Sequence, residues 1–146
     1  MAETHKKGFN AQLVMEDLIE CCRNDAVCGA CQGKACVIGY AKHCIEEFLK
    51  QPRKEVPNGV EQIPTMDFKL FDETALETAI AHILKECKDC KEDHTDDCII
   101  NVIRNCQEVG LFGDIQPYEG SALQYLMYLQ MHFPEKCAHI TAFYRN

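Results

Sequence analysis

The 146-residue chain carries 23 acidic against 15 basic residues, a net charge of −8, with 47% hydrophobic side chains. That length suits one domain whose core needs no staples. The acid excess argues against nucleic acid or an anionic membrane as partner, because both are bound through Lys and Arg.

No apolar run approaches the roughly 20 residues of a membrane span. Met1 to Gly8 leads into an amphipathic segment broken by Glu16 and Asp17, without the apolar stretch of a signal peptide. A cytoplasmic location is expected, where disulfides are rare and clustered cysteines point to metal or catalysis. The eleven cysteines, an odd number, also fit a simple disulfide framework poorly.

Residues 9–24 have the spacing of a helix, with Ala11, Val14, Leu18 and Cys22 in one row and Met15 and Cys21 beside it. Asn10 is its expected N-cap and Asn24-Asp25 its stop. A second helix is predicted from about Ala35 to Gln51, with Cys36, Tyr40, Cys44 and Phe48 in one row. Pro52, Pro57-Asn58-Gly59 and Pro64 then break the pattern. A connection of that length is often functional or ordered against the core.

The third helix has capping-box spacing in Thr74 and Glu77 and an apolar row of Leu76, Ile80, Ile83 and Cys87. Lys91 to His94 is expected to turn, and Thr95 to cap a fourth helix with Cys98, Val102 and Cys106 in a row and Gly110 near its end. Ser121 and Gln124 cap a fifth, apolar on most sides and expected to lie at the centre. Pro134 opens a short sixth, with Cys137, Ile140 and Tyr144 on one side.

No segment alternates with period two. The expected fold is all-α in one domain: a hairpin over 9–51, a connection over 52–71, a second hairpin over 72–111 and C-terminal helices over 120–144. The two hairpins resemble each other. Leu18-Ile19-Glu20-Cys21 is echoed by Leu84-Lys85-Glu86-Cys87, each is followed by a Cys-x-x-Cys pair, and each enters a helix with cysteines eight apart. A duplicated helix–loop–helix unit and a chance match among many cysteines both account for this.

Five of the eleven cysteines fall between Cys21 and Cys36. Residues eight apart on a helix rise about 12 Å, whereas two sulfurs on one zinc lie only about 4 Å apart. Cys44 therefore cannot share a zinc with Cys36, nor Cys106 with Cys98; Cys44 and Cys106 are expected in the core. The remaining set, Cys28, Cys31, Cys36 and either Cys22 or Cys21, surrounds one turn. Gly29, Ala30, Gly33 and Ala35 leave room there for an inorganic core, and a helix N-terminus supplies N–H donors. This suits an iron–sulfur cluster, with zinc as the alternative; reduced cysteines or a disulfide between neighbours is the plainer reading. A second, weaker set is Cys87, Cys90, His94 and Cys98.

Cys87-Lys88-Asp89-Cys90-Lys91-Glu92-Asp93-His94 is also similar to the Cys-x-x-Cys-x-x-x-His motif of the all-helical alkylhydroperoxidase/carboxymuconolactone decarboxylase family. The resemblance implies a peroxidatic and resolving pair, Cys87 and Cys90, with His94 in a proton relay. It covers eight residues. Cys98 and Val102 stand where that family has a small residue and a glycine, and Glu73 and Glu77 are at the wrong distance for its upstream glutamate.

The expected role is thus metal-dependent: electron transfer, or service as accessory subunit of a redox enzyme, with a thiol oxidoreductase or a metal-free interaction protein as alternatives. The expected partner is a protein, either a redox enzyme or a second copy of the chain. His43 is expected at the surface or boundary, and Tyr125, Met127, Tyr128 and Met131 in core and interface packing.

Overall fold

A computed structural model describes residues 10–22, 36–53, 55–65, 71–89 and 97–145, residues 87–89 through their backbone. The fold is all-helical. Its helices are α1 (Ala11–Cys21), α2 (Val37–Lys50), α3 (Glu73–Asp89), α4 (Ile99–Phe112), α5 (Ala122–His132) and α6 (Pro134–Arg145). The first four close a square in which α1 touches α2 and α3, and α4 touches the same two. Helix α6 packs on α3 and α5. The square is consistent with two hairpins lying side by side.

Caps set most of the ends. The Asn10 side chain accepts from Leu13 N at 3.1 Å, and the Ser121 hydroxyl from Gln124 N at 3.2 Å. Pro134 opens α6, where a missing N–H costs nothing. Four ends differ from expectation. Helix α1 stops at Cys21, short of Asn24-Asp25, and the N-cap residue of α4 is Cys98 rather than Thr95. Helix α3 is capped by Asp72, which accepts from Ala75 N at 2.8 Å, so Thr74 lies inside the helix. Helix α4 runs past Gly110 to a left-handed Gly113 with φ of 87°, a conformation glycine adopts without a Cβ penalty.

Helix α1 runs antiparallel to α3. Asn10 N donates to Glu86 Oε1 at 2.7 Å at one end, and Asp72 N donates to Cys21 O at 3.1 Å at the other. Between them His82 Nδ1 and Asp17 Oδ2 lie 2.8 Å apart.

The central helix is α4, not α5. Twelve of its fourteen residues are buried, whereas α5 buries only Tyr125 and Leu129. Asn101, Arg104, Asn105 and Glu108 form a polar stripe at i, i+3, i+4 and i+7. Glu108 Oε2 accepts from Arg104 Nε at 3.0 Å and from the Tyr125 hydroxyl at 2.6 Å. Its Oε1 accepts from Asn105 Nδ2 at 2.9 Å and from Gln116 N at 3.0 Å. Arg104 also donates to Asn101 Oδ1 and lies 4.2 Å over the Tyr118 ring. The carboxylate so exchanges water for four donors, which a buried charge requires.

Residues 51–53 and 55–65 strap the open side of α2 and α4. Val56 N donates to Asp97 O at 2.8 Å, Val60 N to Asp97 Oδ1 at 3.2 Å, and the Tyr40 hydroxyl to Gly59 O at 2.7 Å. A Cβ at Gly59 would meet Val102 Cγ2 at 2.7 Å and Val56 Cβ at 2.9 Å, so only glycine lets the strap lie this close.

Gly59→Ala should therefore destabilise by about 1–3 kcal/mol through overpacking. Glu108→Ala, which strands the buried Arg104 charge, should cost about 3–5 kcal/mol. Both are read from the midpoint of urea unfolding; a shift in neither would show that these contacts do not carry the fold.

Candidate metal centre

Helix α1 ends at Cys22, whose extended backbone (φ −77°, ψ 136°) leads the chain out of the helix. Helix α2 begins after Cys36, its N-cap residue, whose side chain makes no capping hydrogen bond. Helices α1 and α2 pack on each other, and Cys22, half-buried, and Cys36, buried, flank the cysteine-rich residues 23–35 in sequence. Cys28 and Cys31 lie outside the described residues.

The rivalry between Cys21 and Cys22 is resolved by their surroundings. Cys21 is fully buried, and its thiol donates to Asp17 O at 3.2 Å, a bond that requires the proton. Burial, followed by the neighbouring Cys22, pushes that thiol well above the usual cysteine range. Cys21 is a core residue. Cys22 is half-buried, and the Lys42 ammonium donates to its Sγ at 3.1 Å. The sequence pattern contained no sign of Lys42, which sits in the second turn of the next helix.

In the second hairpin, α3 ends at Asp89 and α4 starts at Ile99, so one continuous helix does not carry Cys87 through Cys98. Cys87 lies on the last turns of α3, and its side chain, like Cys90 and His94, lies outside the described residues. Cys98 is the buried N-cap residue of α4, and an isolated antiparallel bridge joins it to Glu55. Thr95, the expected cap, also lies outside them. Cys44 and Cys106 are in the core, where burial raises the Cys106 thiol and Cys44 is the next contributor. Among the described residues no group of three or more His, Cys, Asp or Glu side chains is arranged to hold a metal ion. Of the first proposed set, only Cys22 and Cys36 belong to those residues.

A separate cleft of about 430 Å³ opens between α2 and the strap. Tyr40, His43, Cys44 and Glu47 line it from α2, and Arg53 and Glu55 from the strap. His43, half-buried, stands at the boundary as expected and lines this cleft. The i, i+3, i+4, i+7 spacing of those four residues beside a long proline-bearing connection was the available signal. The volume falls in the small-molecule range.

The chain matches no protein-family model, no curated protein and no solved structure. The likeness to the alkylhydroperoxidase motif therefore rests on its eight residues.

The different settings of the two adjacent thiols have a direct readout. Iodoacetamide applied to native, metal-free protein should label Cys22 and spare Cys21 until the chain is unfolded, as mapped by fragment mass spectrometry. Equal labelling of both would reverse the assignment of Cys21 to the core.

Proposed function

We propose that the turn between α1 and α2 holds a thiolate-ligated metal centre through Cys22, Cys28, Cys31 and Cys36. An iron–sulfur cluster is the better match and zinc the alternative. The observation that carries this reading is the Lys42 ammonium, on the helix that Cys36 precedes, 3.1 Å from the sulfur of Cys22, the C-cap of α1. Cationic donors to a ligating sulfur offset the charge of a thiolate cluster and tune its potential. Small residues through the turn and the N–H groups at the start of α2 favour the bulkier, sulfide-containing centre over a single zinc ion.

On this reading the protein carries electrons, or serves as accessory subunit to a redox enzyme. The Cys87, Cys90, His94 and Cys98 set is the weaker second site. The cytoplasm is the expected compartment, since it keeps such thiolates reduced.

Protein purified anaerobically should contain iron and sulfide in stoichiometric amounts and absorb in the visible. The double variant Cys28→Ala/Cys31→Ala should lose both without losing helical circular dichroism. Stoichiometric zinc without colour would move the assignment to a structural site. A colourless protein with neither metal would end the proposal.

A further inference from the structure

The C-terminal end of α2 and the N-terminal end of α4 meet at the cleft of about 430 Å³. Glu47 and the C-cap residue Gln51 line it from the first, and Ile99, the opening residue of α4, from the second. The strap closes it with Arg53, Glu55 and Val56. That strap is held in place by the bridge of Glu55 to Cys98 and by the Tyr40 hydroxyl, which donates to Gly59 O at 2.7 Å. Both walls are therefore anchored.

The lining has three chemistries. Tyr40 and Ile99, each 4% exposed, and the half-buried Phe48 and Val56 supply an apolar floor. Glu47 and Glu55, exposed at the rim, supply negative charge, and α2 ends there with the negative pole of its dipole. Arg53, also at the rim, supplies a guanidinium, whose Nη2 donates to Gln51 Oε1 at 3.1 Å. Helix α4 begins at the same place with its positive pole. Lys50 Nζ lies 3.8 Å from Glu47 Oε2, but those side chains are 75% and 58% exposed, so the pair yields readily to a ligand.

Simpler occupants conflict with part of this lining. An anion would face two carboxylates in a chain of net charge −8, and a bare cation would face the guanidinium. An uncharged apolar molecule would use the floor alone. We propose that the cleft binds a free amino acid with an aromatic side chain. Its carboxylate lies against Arg53, whose planar fork donates to both oxygens. Its ammonium donates to Glu47 and Glu55, and its ring covers the floor, where Tyr40 and Phe48 offer aromatic partners. The volume stands at the small end of the range for small-molecule sites, as a ligand of this size requires. None of these residues belongs to either proposed metal site, so the two readings stand or fall separately.

The full chain under reductant, labelled with nitrogen-15, is titrated with L-phenylalanine to about 10 mM, far enough to detect a millimolar complex. Backbone amides at the end of α2 and in the strap should shift to saturation. Phenethylamine lacks the carboxylate and 3-phenylpropionate the ammonium, and each should bind at least about tenfold more weakly, the worth of one charge-assisted contact. Arg53→Gln should weaken phenylalanine about tenfold and leave phenethylamine unchanged. Glu55→Gln should weaken phenylalanine and phenethylamine and leave phenylpropionate unchanged. Both side chains are exposed, so neither variant should alter the circular dichroism. No saturable shift with phenylalanine, an analogue that binds as tightly as phenylalanine, or an Arg53→Gln variant of wild-type affinity would overturn the proposal.

Discussion

A carboxylate and a guanidinium buried side by side in α4 set the terms for the C-terminal half of the molecule. Glu108 has no exposed surface, so each of its oxygens must find donors within the protein. Two come from its own helix, Arg104 and Asn105, and two from outside it, the backbone of Gln116 and the hydroxyl of Tyr125. The second pair fixes where the chain goes after Gly113. The 113–121 connection must bring a backbone N–H back to α4, and α5 must turn Tyr125 inward. Burial and the Glu108 charge both raise the Tyr125 phenol, which keeps it a donor. With Tyr125 and Leu129 committed to the core, the helical period places Leu123, Met127 and Met131 on the opposite side. The exposed ridge is a geometric consequence of the buried charge.

A second constraint governs the first half. The strap over α2 and α4 is held by backbone bonds to Asp97 and by the Tyr40 hydroxyl on Gly59, and it reaches them only because Gly59 lacks a side chain. The same strap forms one wall of the cleft beside His43 and Cys44. Packing that closes the core over α4 therefore also shapes the concave surface.

Much of the fold was legible because local rules and tertiary packing agree. Asn10, Ser121 and Pro134 cap or open their helices as their chemistry requires, and the apolar rows of α1 to α3 are buried at Val14, Leu18, Tyr40, Cys44, Leu76, Ile80 and Ile83. Where a local rule had two candidates, packing chose. Asp72 was preferred to Thr74 as cap, and Gly113 to Gly110 as stop; a Cβ at Gly110 would meet Leu76 and Phe71 at 3.4 Å, the close packing of a helix interior. The centre of the molecule was misplaced for a specific reason. Apolar content singled out α5, whereas α4 carries Asn101, Arg104, Asn105 and Glu108. Those four share one face, and a polar stripe on an otherwise apolar helix marks a buried network as readily as a solvated side. The candidate metal turn was legible as a set of spacings, but Lys42 could be found only in three dimensions.

The cysteines divide by surroundings rather than by spacing alone. Cys21, Cys44, Cys106 and Cys137 are core residues, and the Cys21 and Cys137 thiols donate to backbone carbonyls of Asp17 and Leu126. A thiol that donates must keep its proton, so such residues are poor ligands however close they stand in sequence to better ones. Cys22 is half-buried at the C-cap of α1, whereas Cys36, the N-cap residue of α2, is buried in the same core. They belong to the ends of α1 and α2, neither of which packs against α5 among the described residues. The contact of the Lys42 ammonium with the Cys22 sulfur and the uncharged apolar ridge of α5 are then physically separate features.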